Sequence, residues 1–370
     1  MFEVSKIANQ ILVVIPTLNE EKHIEACFRS LMCGSEELKN VKFVVADGGS
    51  TDRTAKIVTD LGKSFPNLEL IHNPKKIQAA AVNIAARTVD KERSILVRCD
   101  AHSIYPKDFV LKVAYRLKEA GAASVVVPMD AVGSGSFQSA NAWVVDQPLG
   151  SGGSAHRGGL KSGYVDHGHH AAFDRKVFLE LGGYDESFTH NEDAEYDCRV
   201  IKSGRRIYMD AGARIQYFAR DSFMGVWKQY YKYGVGRARN MKKHRSAPKL
   251  RQAIPLLNLI AMAAGLLVWM TMGRNGEAFS NTITSLIAIE PFLYMGALLG
   301  VSVACMLKLK SAKGAYAGLA LAAMHNGWAL GFLKGMLFVP RPGADEDTLV
   351  LTRDDMLPPS KDDQEAALTT

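Results

Sequence analysis

The sequence predicts an α/β protein with a doubly wound, mostly parallel sheet, followed by a C-terminal region of transmembrane helices. In the first half of the chain, short apolar runs rich in β-branched residues alternate with segments of helical length. From residue 254 onward the chain turns sharply more hydrophobic and contains long apolar stretches. A length of 370 residues suggests two or three domains. We therefore expect an α/β domain first and a membrane region after it.

Five apolar runs predict strands at residues 11–15, 41–46, 68–72, 94–98 and 123–128. The segments between them predict helices at residues 19–32, 50–61, 78–89 and 106–120. The first strand is continuously apolar, which is typical of a strand buried on both faces of its sheet. Pro16 ends this run, and Asn19 with the acidic residues after it begins the first helix. Strands that alternate with helices in this way indicate a parallel sheet covered on both sides.

Acidic residues lie at the ends of two predicted strands and again in one dense cluster. Asp47 and Asp100 lie at the carboxyl ends of the second and fourth strands, the edge where such sheets bind ligands. Residues 191–199 hold four carboxylates, which repel one another unless a cation, a substrate or the arginine of the same segment offsets them. These carboxylates indicate a site for a metal and a phosphorylated or hydroxylated substrate. The alternative for residues 191–199 is a solvated acidic helix face.

Two further segments are candidates for ligand binding. Residues 133–163 are rich in Gly and Ser and predict a mobile loop, either a lid or a plain connector. They contain no phosphate-binding Walker sequence, and no Gly-x-Gly-x-x-Gly follows the first strand. The histidines of the segment 167–170 lack the further ligands of a zinc site, so we expect them on the surface or in an acceptor cleft.

The second half predicts a membrane anchor. Residues 254–272 and 287–306 are apolar over about the length that spans a bilayer. Residues 315–333 form a third candidate, weakened by His325 and Asn326, which could instead lie at the interface or pack against the other two. The alternative for all three is buried core helices. The expected divisions are residues 1–227, a basic juxtamembrane segment 228–251, two or three helices in 252–340, and an acidic, disordered tail 341–370.

Charge and cysteine use indicate the compartment. The segment 228–251 holds nine Lys or Arg and no acidic residue, and the positive-inside rule places it and the preceding domain in the cytoplasm. Nucleic-acid binding is the weaker alternative for this segment, because no nucleic-acid-binding module surrounds it. The five cysteines are scattered, as expected for thiols of a reducing compartment. The first ten residues do not resemble a signal peptide.

Four short sequences, in this order along the chain and at family-like spacing, carry a resemblance to a known family. They are Pro-Thr-Leu-Asn-Glu at 16–20, Ala-Asp-Gly-Gly-Ser-Thr-Asp at 46–52, Asp-Ala-His at 100–102 and Glu-Asp at 192–193. Together they resemble the family 2 inverting glycosyltransferases of the GT-A fold over roughly residues 8–240. The segment 227–237 is similar to the closing segment of membrane-bound members that build exopolysaccharides of the succinoglycan type.

The resemblance implies a role for each matching residue. It implies that Asp193 is the general base and that Asp100, with His102 as a tentative second ligand, holds Mg²⁺ or Mn²⁺. The implied nucleotide-sugar site consists of Pro16, Asn19, Glu20, Asp47, Asp100 and Arg237. The implied contacts to the acceptor or the diphosphate are Glu192, Gln229 and Lys232.

Three departures from the family pattern qualify these roles. His102 replaces the second aspartate of the usual Asp-x-Asp metal sequence, and histidine suits Mn²⁺ better than Mg²⁺. Gly48 stands where many relatives have a second aspartate. The Gln-x-x-Arg-Trp of processive synthases is absent, which favours the addition of a single sugar.

The expected protein is a glycosyltransferase anchored in the bacterial inner membrane, with its catalytic domain in the cytoplasm. It would transfer a sugar, glucose, from a UDP-sugar to a polyprenyl-diphosphate-linked saccharide, and it would form a β-linkage. Two alternatives stay open: a polyprenyl-phosphate sugar transferase, and a non-catalytic scaffold that binds nucleotide sugar. Nucleic acid is not an expected partner.

Overall fold

The computed structural model describes residues 4–154, 156–247, 250–275 and 282–341. Its main sheet has eight strands: β1 (Ile11–Thr17), β2 (Lys42–Asp47), β3 (Leu68–His72), β4 (Ile95–Arg98), β5 (Ser124–Val127), β7 (Gly163–Val165), β8 (His169–Asp174) and β9 (Ile207–Met209). A second, two-stranded sheet pairs β6 (Met129–Val132) with β10 (Ile215–Phe218).

Helices cover both faces of the main sheet. Those of the α/β part are α1 (Val4–Ala8), α2 (Ile24–Leu31), α3 (Thr54–Ser64), α4 (Gln78–Thr88), α5 (Phe109–Ala120), α6 (Ser136–Val145), α7 (Pro148–Ser151), α8 (Arg175–Glu180) and α9 (Glu192–Lys202). The C-terminal helices are α10 (Phe223–His244), α11 (Leu250–Asn275), α12 (Thr282–Leu309) and α13 (Ala317–Phe338). Short 3-10 turns lie at Glu36–Asn40 and Ala312–Tyr316.

The strand order in the main sheet is β3-β2-β1-β4-β8-β5-β9-β7. The strands β1 to β4 are parallel, whereas β8 lies antiparallel between β4 and β5. Alternate side chains of β1 enter two separate cores: Ile11, Val13 and Ile15 pack on one face, and Leu12 and Val14 on the other. The predicted doubly wound, mostly parallel α/β fold is therefore confirmed. The antiparallel insertion of β8 was not predicted.

The prediction of a loop over residues 133–163 was wrong. This segment contains α6 and α7, and α6 buries Ala140 and Val144, which are four residues apart and so share one helix face. That face packs against Val226 of α10 and Leu321 of α13. The Gly and Ser content concealed the helix because the apolar face is short and its partners are far away in the sequence.

The basic segment 228–251 lies mostly within α10, and the predicted boundary between residues 227 and 228 falls inside this helix. Several of its charges bind the α/β part of the chain. Lys243 Nζ lies 2.6 Å from Asp185 Oδ2 and 2.9 Å from Glu195 Oε1, and Arg239 donates to the backbone carbonyl of Ser187. These two cations thus hold α10 against the α/β part and are not free for lipid headgroups.

Helix α13, the third predicted membrane candidate, packs lengthwise on α10. Gly327, Gly331 and Gly335 recur every four residues along α13 and face Trp227, Tyr231 and Val235 of α10. The matching order shows that the two helices run parallel. Glycines at this spacing allow backbones to approach closely, as in helix pairs within membranes. A chain ending near residue 249 would lack α13 and leave this face of α10 uncovered.

Two helices of the described chain are long and apolar enough to cross a membrane, over Gln252–Thr271 and Thr284–Leu309. Both expose most of their apolar side chains, including Leu257, Trp269 and Leu299. They match the first two predicted spans. Of the predicted tail, only Arg341 lies within the described residues.

We predict that Gly331→Ala destabilises the protein through the contact between α10 and α13. A methyl group at Gly331 would overlap the carbonyl oxygen of Tyr231, so the helices would have to separate. Overpacking of this kind costs about 1–3 kcal/mol or more. The thermal midpoint in detergent should fall clearly.

The matched control is Gly296→Ala in α12, where a methyl group would meet no atom within 4 Å. This variant should keep the wild-type midpoint or raise it, because Ala favours the helix over Gly. Equal midpoints for the two variants would show that the glycine contact does not limit stability.

Candidate active site

Arg98 gathers three carboxylates at the end of β4. Its side chain is only 4% exposed, and its Nη1 lies 2.5 Å from Asp193 Oδ1. The same guanidinium lies 3.5 Å from Asp100 Oδ1 and 3.8 Å from Glu192 Oε1. Tyr184 Oη accepts a further hydrogen bond at 3.1 Å. A buried cation is tolerated only when such partners compensate its desolvation, so this arginine joins the Asp-Ala-His sequence to the acidic cluster.

The acidic cluster is not a solvated helix face. Helix α9 buries Glu192, Glu195 and Asp197. Glu195 binds Arg199 of its own helix and Lys243 and His244 of α10. These contacts divide the cluster in two: Glu195 fixes α10 to α9, and the remaining acids face the site around Arg98.

A chain of buried polar groups continues from Asp193 behind the site. His170 Nε2 lies 2.7 Å from Asp197 Oδ1, and His167 Nδ1 lies 2.7 Å from Asp197 Oδ2. His170 Nδ1 lies 2.9 Å from Tyr184 Oη and 3.5 Å from Asp193 Oδ1. Burial disfavours the His170 cation, but Asp197 and Asp193 outweigh burial and raise the pKa of His170 to about 9.

The two adjacent acids of α9 have opposite proton affinities. Burial opposes ionisation of Asp193, but Arg98 and then His170 outweigh it, so the pKa of Asp193 lies well below its usual range. Burial and the charge of Asp193 raise the pKa of Glu192 to about 7. Asp193 is therefore the ionised carboxylate at neutral pH, and Glu192 is partly protonated beside it.

Asp100 and His102 offer an incomplete set of metal ligands. Asp100 Oδ1 accepts a hydrogen bond from Gln78 Nε2 at 2.8 Å, and its Oδ2 lies 3.7 Å from His169 Nε2. His102 Nδ1 lies 3.2 Å from Glu20 Oε1. No group of three His, Cys, Asp or Glu within the described chain could hold a metal alone. One carboxylate and one imidazole fit a divalent cation that takes its other ligands from a bound diphosphate and water.

The other residues predicted for the nucleotide site lie in the adjoining turns after β1 and β2. Asn19 Oδ1 accepts from the backbone N–H of Thr51 at 2.8 Å, and the Asn19 N–H donates to Ser50 Oγ. Asp47 Oδ2 accepts from the N–H groups of Gly49 and Ser50. Asp47 is almost fully buried, so in this structure it shapes the turn that a nucleotide would contact. Pro16 is partly buried within β1.

A cleft of about 970 Å³ runs from these carboxylates to the C-terminal helices. Of the predicted residues, it is lined by Asp100, His102, Glu192, Asp193, Gln229 and Arg237. Lys232 is exposed and does not line it. Glu20 reaches the cleft through its contact with His102.

Sequence reasoning missed Arg98, His170 and Asp197 as members of the site. Arg98 carried a signal, because it is a charged residue at the end of an otherwise apolar strand. Asp197 follows Asp193 by four residues, so a helix places both on one face. His170 is fully buried, whereas the sequence predicted it on the surface or in an acceptor cleft.

The pKa of His170 predicts how stability depends on pH. The unperturbed pKa of histidine is about 6.5, and that of His170 in the fold is about 9. The cation contributes its full stability below pH 6.5, and this contribution is lost as the pH rises toward 9. The difference corresponds to about 3 kcal/mol. The thermal midpoint of the wild type should therefore fall from pH 6.5 to pH 9.

His170→Gln should lose this part of the pH dependence. His190→Gln is the control, since His190 lines the same cleft but, within the described part of the chain, its ring hydrogen-bonds only Thr189 Oγ1. If His170→Gln kept the wild-type pH profile, His170 would not be the group responsible.

Comparison with known proteins identifies the family. The model of glycosyl transferase family 2 matches residues 12–182. The succinoglycan biosynthesis protein ExoA of Rhizobium meliloti (strain 1021) is 40% identical over 88% of this chain and 94% of its own length.

Two more distant similarities were found. The dolichyl N-acetyl-alpha-D-glucosaminyl phosphate 3-beta-D-2,3-diacetamido-2,3-dideoxy-beta-D-glucuronosyltransferase of Methanococcus voltae is 26% identical over 64% of this chain and 75% of its own. Among solved structures, the mannosyltransferase PcManGT from Pyrobaculum calidifontis, in complex with GDP-Man and Mn²⁺, is 19% identical over 86% of this chain and 87% of its own, with a TM-score of 0.49.

Three findings agree with one another. The match to ExoA is extensive and of high identity. The family match covers the strands that carry Asp47 and Asp100, and the chain has an α/β architecture with two apolar helices. This chain belongs to glycosyltransferase family 2 and has the GT-A fold.

Proposed function

We propose that this glycosyltransferase transfers glucose from UDP-glucose to a lipid-linked saccharide during assembly of a succinoglycan-like exopolysaccharide. The observation that carries the proposal is the ionised Asp193, held by Arg98 in a cleft that also contains Asp100 and extends to the first apolar helix. The similarity to ExoA over almost its whole length supports the exopolysaccharide role. The name of the archaeal relative supports a lipid-linked acceptor.

The reaction we propose is a single displacement at the anomeric carbon. The acceptor oxygen forms a bond to that carbon while the bond to the diphosphate oxygen of the donor breaks, which inverts the configuration to β. The acceptor proton passes to a carboxylate oxygen of Asp193, which is deprotonated at neutral pH and can accept it. Arg98 and His170 hold this carboxylate in place.

The donor diphosphate is expected beside Asp100 and His102, where Mg²⁺ or Mn²⁺ would neutralise the charge of the leaving group. Arg237 lines the same cleft and can bind phosphate oxygens through its planar guanidinium. The turns around Asn19 and Asp47 would receive the uridine. Glu192 and Gln229 line the acceptor side of the cleft.

The proposed location is the bacterial inner membrane, with the α/β domain on the cytoplasmic side. Two exposed apolar helices support membrane insertion. Lys228, Lys232 and Arg245 stay exposed on α10 and its C-terminal cap, which precede the first of them in the chain. Such positive charge beside a span favours the cytoplasmic side.

The first prediction concerns the base. Asp193→Asn keeps the shape of the side chain but cannot accept the proton, so transfer should fall by about two to four orders of magnitude. Binding of UDP-glucose, measured by calorimetry, should change little. Asp210→Asn is the control, because Asp210 is also buried and paired, with Arg116, but lies outside the cleft.

Glu192→Gln separates the two neighbouring acids and should reduce transfer far less than Asp193→Asn. The reverse ranking would assign the base to Glu192. Normal transfer by Asp193→Asn would favour the polyprenyl-phosphate sugar transferase, since a bare phosphate acceptor needs no strong base. Donor binding by the wild type without transfer to any lipid extract would favour the non-catalytic scaffold.

The second prediction ranks the proposed metal ligands. Asp100→Ala should abolish donor binding that depends on Mg²⁺ or Mn²⁺. His102→Asp should keep binding and shift the preference toward Mg²⁺, which prefers oxygen ligands. Calorimetric titration of each metal with UDP and each variant tests both statements. A metal response that survives in Asp100→Ala but is lost in His102→Ala would reverse the ranking.

A further inference from the structure

The wall of the cleft includes a cationic side chain, that of Arg157, with a buried donor atom that lacks a partner. Arg157 Nη1 is buried and finds no hydrogen-bond partner among the described residues, and neither does the adjacent His156 Nδ1. Both residues line the cleft. Leaving a buried charged donor unsatisfied costs more than the 1–3 kcal/mol typical of a neutral group. Two neighbouring orphaned groups at one cleft wall therefore indicate a place that a ligand fills.

The surroundings of Arg157 favour an anionic ligand. Its guanidinium carbon lies 4.7 Å from the centre of the Tyr217 ring, which holds the group flat against one wall. The charge of Asp146 acts on Arg157, but Asp146 Oδ2 accepts a hydrogen bond from the N–H of Ala131, and its Oδ1, like Arg157 Nη1, has no hydrogen-bond partner among the described residues. Arg220 adds further positive charge to the same cleft. A planar guanidinium presented in this way suits the oxygens of a phosphate.

Part of the cleft wall is apolar. Helix α7 covers it, held by Tyr230 Oη, which donates to the carbonyl of Gly150 at 3.2 Å, and by His325 Nε2, 3.0 Å from the carbonyl of Leu149. The apolar side chains that line the cleft include Leu149, Ile254, Pro255, Met324 and Trp328.

The apolar part of the cleft wall includes the beginning of the first candidate span. Ile254 and Pro255 belong to the apolar segment Gln252–Thr271 of α11. The cleft thus contains the carboxylates, the Arg157 guanidinium and an apolar surface beside a candidate membrane helix. These three surfaces suit a molecule that has a sugar, a phosphate and a hydrocarbon chain.

We propose that Arg157, with His156, binds the phosphate or diphosphate of the lipid-linked acceptor, and that the lipid chain leaves the cleft between α7, α11 and α13. The inference rests on the proposed function and adds the position of the acceptor head. Of the residues assigned to the acceptor from sequence, Gln229 donates to the hydroxyl of Tyr217, over whose ring Arg157 lies. The donor carries a diphosphate too, so the test separates the two sources.

The direct test measures binding without catalysis. A polyprenyl diphosphate in detergent micelles is titrated into wild type and Arg157→Gln in the absence of nucleotide, and UDP with metal is titrated separately. We expect lipid diphosphate affinity to fall at least tenfold, or about 1.4 kcal/mol, and UDP affinity to change less than twofold. Because no transfer is required, this result is independent of whether the proposed sugar transfer is correct.

The matched control is Arg206→Gln. Arg206 also lies over a tyrosine ring, that of Tyr164 at 4.2 Å, but outside the cleft. It should bind both ligands as the wild type does, and equal thermal midpoints of the two variants would exclude misfolding. A loss of UDP affinity as large as the loss of lipid affinity would assign Arg157 to the donor. Unchanged affinity for both would refute the proposal.

A second variant tests the lipid path. Leu149 is 61% exposed, and only its backbone is hydrogen-bonded, so Leu149→Glu should fold normally. We expect it to weaken binding of a long-chain polyprenyl diphosphate and to leave binding of a short, water-soluble isoprenyl diphosphate unchanged. Equal binding of the long chain by Leu149→Glu and wild type would show that the chain does not leave along this route.

Discussion

The ion pair between Arg98 and Asp193 is the interaction on which the active site depends. Arg98 is the last residue of a central strand, and Asp193 lies in the first turn of a helix nearly one hundred residues later. Their contact therefore fixes α9 to the carboxyl end of that strand. The same guanidinium faces Asp100 and Glu192. Without this cation, three carboxylates would share a buried space and repel one another. The arginine thus allows a proton acceptor and a candidate metal ligand to exist side by side.

The polar groups behind Asp193 extend this compensation. His170 lies between Asp193 and Asp197, and His167 binds the other oxygen of Asp197. Arg98, Asp193, His170 and Asp197 alternate in charge in this order, so each of these buried charges has an opposite neighbour. Tyr184 contacts both Arg98 and His170 and fixes their relative positions. Such a network is rigid because the loss of any member leaves another charge uncompensated.

The C-terminal helices belong to the same unit as the α/β domain. Glycines of α13 bring its backbone against α10, and α10 is bound to α9 through Glu195. The C-terminal helical region is therefore more than an appendage attached by a linker. It supplies part of the cleft wall, since Ile254 of α11 and Met324 of α13 line the same space as Asp193. Under the proposed function, this geometry connects the bilayer to the acceptor.

The sequence alone was sufficient for the parts of the protein that depend on local patterns. The apolar runs predicted β1 to β5, the strand ends located Asp47 and Asp100, and long apolar segments located α11 and α12. These features follow from hydrophobic periodicity and from the polarity of strand ends, both of which can be read within a few residues. The family resemblance added the fold.

The tertiary structure decided every contact between distant segments. No local pattern could show that β8 enters between β4 and β5 or that His170 lies buried between two aspartates. Nor could it show that α13, the third candidate span, packs on α10. Helices α6 and α7 were missed because their apolar partners lie far away in the chain. A charged residue or a glycine has a local preference for one backbone conformation or environment, but its role is set by the group that the fold places against it. That pairing exists only once the chain has folded.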